Sequence, residues 1–98
     1  MVLNYATCYS LIRMSDEARL LITDCKTVLE NYRMYSDAVD DGLKQLNKLD
    51  ELVSIGKISE AYNLTLELLE MIAPYRFYIA DVAVRVDAIK VKLEELKS

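Results

Sequence analysis

A chain of 98 residues has room for one domain with a thin core, and 53% apolar with 29% charged content is that of a folded protein, not a disordered one. Two glycines and one proline are too few turn formers for a β architecture of this size, so the fold class is all-α. The net charge of -4, with Lys and Arg scattered along the chain, gives no phosphate-binding run and argues against direct nucleic-acid binding; the apolar stretches are too short to span a membrane.

Residues 1–14 read as an N-terminal segment. It is fairly apolar from Met1 to Met14, but no basic region precedes it, so a signal peptide is not expected. Ser15 followed by Asp16 and Glu17 has the chemistry of an N-cap and an acidic first turn. A first helix is predicted over roughly 15–54, starting afresh at Ser15 or running on from about Leu3. Steps of three and four residues from Leu11 meet Met14, Ala18, Leu21, Cys25, Val28, Tyr32, Tyr35, Val39, Gly42, Leu46, Leu49 and Val53. Twelve of these thirteen positions are apolar, a 3.5-residue repeat that lays one helix along another. Gly42 is its one flaw; a mid-helix glycine costs about 1 kcal/mol relative to alanine, and the unchanged phase across it predicts a continuous helix.

The stretch 55–59 is the predicted turn, with Gly56 in the left-handed C-terminal position and Ser59 as the next N-cap. A second helix follows over roughly 60–97. Its seam is Ala61, Thr65, Leu68, Ile72, Tyr75, Ile79, Val82, Val86, Ile89, Leu93 and Leu96, of which ten of eleven are apolar. Pro74 falls within it, but the seam keeps its phase, so a kink near Pro74 is predicted and not a break. The architecture expected is a long antiparallel helical hairpin, coiled-coil-like, with two copies forming a four-helix bundle.

After Pro74 a second apolar row, Phe77, Ala80, Val84, Ala88 and Val91, lies opposite the seam, with Arg76 and Tyr78 beside its start. A helix with two opposed apolar stripes must be covered on both sides. The cover is either the N-terminal segment (Leu3, Tyr5, Ala6, Tyr9, Ile12) folding back, a second copy, or another protein docking in a groove. These seven residues, from Arg76 to Val91, are the candidate partner interface.

Catalytic, cofactor and metal sites are not expected. The absence of histidine removes Ser-His, Cys-His and His-metal arrangements, and the two glycines stand too far apart for a phosphate loop. Cys8 and Cys25 lack C-x-x-C spacing; Cys25 falls on the first seam as a small core residue, and an intracellular, cytoplasmic setting is expected. One glutamine and no histidine suit a thermophile, while four Met, four Asn and two Cys pull against that. The run Leu52, Gly56, Lys57, Glu60, Ala61 resembles the turn of tetratricopeptide-type repeats over barely ten residues, with no second copy at the period of about 34. In size the chain is similar to small helical chorismate mutases, whose sites need inward Arg or Lys that these seams lack.

The function expected is therefore a non-catalytic protein–protein interaction module, an adaptor, regulator or accessory subunit that binds another protein or itself through a helical apolar face. Two alternatives stand beside it. One is a small helical-bundle enzyme with an intersubunit anionic-metabolite site built from Arg13, Arg19 and Arg33. The other is a Rop-like dimer associated with nucleic acid.

Overall fold

The computed structural model describes the backbone of residues 5–97 and the side chains of residues 15–97. The expected fold-back of Leu3, Tyr5, Ala6, Tyr9 and Ile12, the seam positions Leu11 and Met14, and Cys8 and Arg13 lie outside the described side chains. Among the described residues every regular element is helical: α1 (Tyr5–Glu30), α2 (Ala38–Ser54), α3 (Ile58–Ile72), a 3-10 turn (Ala73–Tyr75) and α4 (Ala80–Lys97).

Both expected arms are broken, which corrects the long hairpin. The first stops at Glu30 and restarts at Ala38; the second stops at Ile72 and restarts at Ala80. In the first gap Asn31, Tyr32, Tyr35, Ser36 and Asp37 are all weak helix formers. There the backbone closes tight turns, with the N–H groups of Asn31, Tyr32 and Arg33 donating to the carbonyls three residues back at 3.0–3.2 Å. The Ser36 hydroxyl accepts the Ala38 N–H at 3.1 Å, a local bond that competes with the helical ladder. In the second gap Pro74 has no N–H for the Glu70 carbonyl and its ring crowds that oxygen. The chain leaves α3 through the 3-10 turn and, after Tyr78 N–H donates to Tyr75 O at 2.8 Å, reverses into α4. The kink expected at Pro74 is a full reversal.

Between α2 and α3 the reversal is short. Gly56 sits at φ 79, Lys57 N–H donates to Leu52 O at 2.9 Å and Gly56 N–H to Val53 O at 3.1 Å. This Schellman pair satisfies the last carbonyls of α2. The next helix starts at Ile58, before Ser59, with no side-chain cap.

Each arm therefore doubles over, and one chain supplies the four helices that two hairpins were expected to share. α1 packs on α2 and α4, and α3 on α2 and α4, in a body of 51 × 19 × 18 Å. The cross-helix pairs fix the directions. Arg19–Asp50 (3.0 Å), Lys26–Asn47 (3.1 Å) and Arg33–Asp40 (3.0 Å) run antiparallel from α1 into α2 and the link before it. Lys92–Glu17 and Arg85–Asp24, both 2.9 Å, do the same for α4 against α1. These pairs are largely exposed, worth at most about 1 kcal/mol each, so they set register more than stability.

The core holds the fold. Ile22, Leu46, Leu49, Ile89 and Leu93 are fully buried, and Thr65, the one buried polar residue among the described residues, donates its hydroxyl to Ala61 O at 2.9 Å. Gly42 lies buried inside α2, where a Cβ would come within 3.0 Å of Leu29 Cδ2, so the glycine allows α1 and α2 to close together beneath the first link. Leu49→Ala should lower unfolding stability by about 2–5 kcal/mol in denaturant titrations, through lost burial plus a cavity. Val84→Ala, on the outer side of α4, should stay within about 0.5 kcal/mol of the parent.

Candidate functional site

The two seven-residue links, 31–37 and 73–79, sit at the same end of the bundle, because α1 and α3 end there and α2 and α4 begin there. The far end of the α2–α3 pair is closed by the three-residue turn at Gly56. Between the links a cavity of about 600 Å³ opens into the bundle, within the size range of ligand pockets. Its walls are Leu29, Val39, Leu46, Leu68, Ile72, Val82 and Val86 from all four helices. Its mouth is set by Tyr32, Tyr35, Met71, Tyr75 and Tyr78.

The mouth follows from the breaks. Tyr35 and Tyr75 occupy seam positions, and in continuous helices they would point into the core. With the backbone out of helix, they are 82% and 56% exposed. Met34 and Phe77, at the tips of the two links, are 97% and 98% exposed, and Tyr78 is 81% exposed. Five of the eight aromatic residues of the chain lie in these fourteen link residues. Large apolar side chains are thus exposed around a concave apolar surface.

Hydrogen bonds hold the frame of the mouth. Tyr32 OH donates to Asp81 Oδ1 at 2.8 Å, tying the first link to the start of α4. Tyr32 and Tyr35 pack at 6.3 Å between ring centroids, tilted by 53°, an arrangement favoured by the ring quadrupoles. Arg76 pairs with Asp87 across the second link. The Asp81 hydrogen bond, followed by burial, raises the Tyr32 phenol above its ordinary value, and Glu94 does the same for Tyr62 through a 2.9 Å bond.

The expected interface residues are divided. Tyr78 lines the cavity, Phe77 projects beside it and Arg76 is held by Asp87. Ala80, Val84, Ala88 and Val91 run down the outer side of α4, away from the cavity, with Val84 62% and Val91 53% exposed. Six of the seven wall residues, all but Leu29, stand on the two seams, where the sequence marks them as core and not as the lining of a cavity. The signal that could have found the mouth was the clustering of Tyr, Met and Phe in two windows one heptad long.

Reactive chemistry is sparse. Cys25 is buried in the core, and burial pushes its thiol up to about 12, so it stays protonated and unreactive. Among the described residues no group of His, Cys, Asp or Glu is placed to hold a metal ion, and no helix is long and apolar enough to cross a membrane. Arg19 and Arg33 stand fourteen residues apart on or just past α1, ~21 Å along a helix, and each is engaged by its own aspartate.

The tyrosine ties carry a pH consequence. A group whose folded pKa is raised adds stability that is complete below its unfolded value of about 10 and is lost as pH climbs through the folded value. Lys92, raised chiefly by its bond to Glu17, adds to the same alkaline loss. Unfolding stability should therefore fall above about pH 10. The Tyr32→Phe, Tyr62→Phe double variant should show a shallower fall in denaturant titrations across that range.

No protein-family model matches the chain, and neither a curated protein nor a solved structure is significantly similar to it.

Proposed function

We propose that this protein is a non-catalytic binding module whose working surface is the open end of the bundle. The observation that carries this reading is the apolar cavity of about 600 Å³, lined at its mouth by Tyr35 and Tyr78, both more than four-fifths exposed, with Met34 and Phe77 almost fully exposed on the same two links. A cavity lined by side chains from four helices needs no assembly partner to exist. Its apolar walls suit an aliphatic or aromatic anchor, and the Met and Tyr side chains at the mouth can adapt to the anchor's shape. The exposed rim extends well beyond the cavity, which favours a partner protein that covers the whole end over a small molecule that only fills the hole. An adaptor or accessory-subunit role, binding through apolar surface, fits this arrangement. An intracellular setting belongs to the same reading, since Cys25 is a free thiol.

A second reading concerns the outer row of α4. The exposure of Val84 and Val91 supports its use as a seam between two copies. It would act in addition to the cavity, since the four-helix packing is already complete within one chain.

Titration with N-phenyl-1-naphthylamine, a neutral apolar fluorophore, should show saturable one-site binding to the native protein. Ala38→Trp, which fills the mouth from the start of α2, should weaken that binding at least about tenfold while leaving helicity intact, since the loss of one well-matched apolar group is worth ~1–3 kcal/mol. Absence of saturable binding by the parent, or full binding by the Trp variant, would overturn the cavity reading. For the second reading, sedimentation should give a dimer that Val84→Asp converts to monomer; a monomer at all accessible concentrations would remove it.

A further inference from the structure

The charge of the molecule is gathered at its open end. Residues 30–41 and 70–81, the two links with their flanking turns, hold Glu30, Asp37, Asp40, Asp41, Glu70 and Asp81 against Arg33 and Arg76. Six carboxylates against two guanidiniums give -4, which is the net charge of the whole chain; the remaining ten acids and ten bases cancel. The apolar cavity thus opens at an end whose two links and flanking turns carry a net charge of -4.

Two of these carboxylates stand where helix electrostatics disfavour them. Glu30 closes α1 and Glu70 lies in the last turn of α3, and neither last turn holds a basic residue. The C-terminal end of a helix carries partial negative charge, so an acid there is mildly destabilising. Both side chains are exposed, and neither forms an ion pair among the described residues. Asp37 and Asp41 are likewise exposed without an ion-pair partner among the described residues. Local rules broken at the end where a cavity opens, with no compensating ion pair among the described residues, are the expected mark of a surface shaped for something outside it.

Building on the cavity as the binding site, we infer that its occupant is a cationic amphipathic helix of a partner protein, which seats an apolar anchor in the cavity and sets Lys or Arg against the acidic rim. The dimensions agree. The bundle end measures 19 × 18 Å, which a helix crosses in about 12 residues at 1.5 Å per residue. Along that path an apolar face at i, i+3, i+4 and i+7 meets the exposed Met and aromatic side chains, and flanking cations reach both the carboxylates and the faces of the tyrosines. The complementary field also steers encounter.

The test uses the full chain and three designed peptides of about 16 residues with one shared apolar face, their polar faces built from Lys and Arg, from Gln, or from Glu. Affinity is read by displacement of N-phenyl-1-naphthylamine and by anisotropy. The cationic peptide should bind at least about tenfold tighter than the Gln peptide at low salt, and the advantage should collapse near 1 M salt, where charges more than ~3 Å apart are screened. The Glu peptide should not compete. A Glu30→Gln, Glu70→Gln variant should bind the cationic peptide several-fold more weakly and melt at the same or a higher temperature, while fluorophore binding is unchanged.

Equal affinity for all three peptides, or unchanged cationic binding by the double variant, overturns the inference and leaves the cavity reading standing. Fluorophore binding that no peptide displaces does the same, and points to a small apolar ligand. If neither fluorophore nor peptide binds, both readings fall together.

Discussion

The structure depends on two reversals of seven residues each, placed at the same end of the molecule. Had α1 run on through residues 31–37 and α3 through 73–79, the chain would be a rod of two helices, each with one buried seam. Because both arms fold back at the same level, four short helices close around one core, and Ile22, Leu46, Leu49, Ile89 and Leu93 meet at its centre. The same event removes Tyr35 and Tyr75 from helical geometry and turns them outward. Core closure and the aromatic mouth are two results of one backbone choice.

That choice explains how far the sequence could be read. The seams were legible because burial follows them: Ala18, Cys25, Val39, Leu46, Leu49 and Val53 in the first arm, and Ala61, Leu68, Ile72, Val82, Val86, Ile89 and Leu93 in the second, are all buried. Ile22, Leu29 and Ala83 are buried as well, although a single seam leaves them out. A helix packed on two neighbours needs a wider apolar face than one lying along a single partner. The breaks were hidden by arithmetic. A connector of seven residues is one heptad long, so the apolar phase continues across it as though the helix had never stopped. Phase preservation was read as continuity of helix, yet it is equally what a one-heptad loop leaves behind. Pro74 was a visible warning with a known physical cost. The first break carries neither proline nor glycine, and only its weak helix formers betray it.

The candidate site was less legible, because it is made by the relation between segments forty residues apart. Nothing local in Tyr32, Met34 and Tyr35 says that Tyr75, Phe77 and Tyr78 will stand opposite them. Of the interface expected on the second arm, Phe77 from the row and Tyr78 beside it reach this end, while Ala80 to Val91 follow α4 down its outer side. The sequence row is real as a helical stripe, but the reversal at Pro74 separates its first members from the rest.

The bundle is also unequally braced. α1 is tied to α4 by Lys92–Glu17 and Arg85–Asp24 and to α2 by Arg19–Asp50 and Lys26–Asn47, while the link that follows α1 is tied to α4 by Tyr32–Asp81 and to α2 by Arg33–Asp40. Tyr62 joins α3 to α4 through Glu94. Among the described residues no ion pair or side-chain hydrogen bond joins α2 to α3, whose link at the closed end is the three-residue turn at Gly56. The helical phase that sets Asn47 and Asp50 against α1 sets Gln45 on the α3 side, and its Oε1 is buried without a partner. That acceptor falls on the α3 side of α2, where the described residues form no ion pair or side-chain hydrogen bond between the two helices.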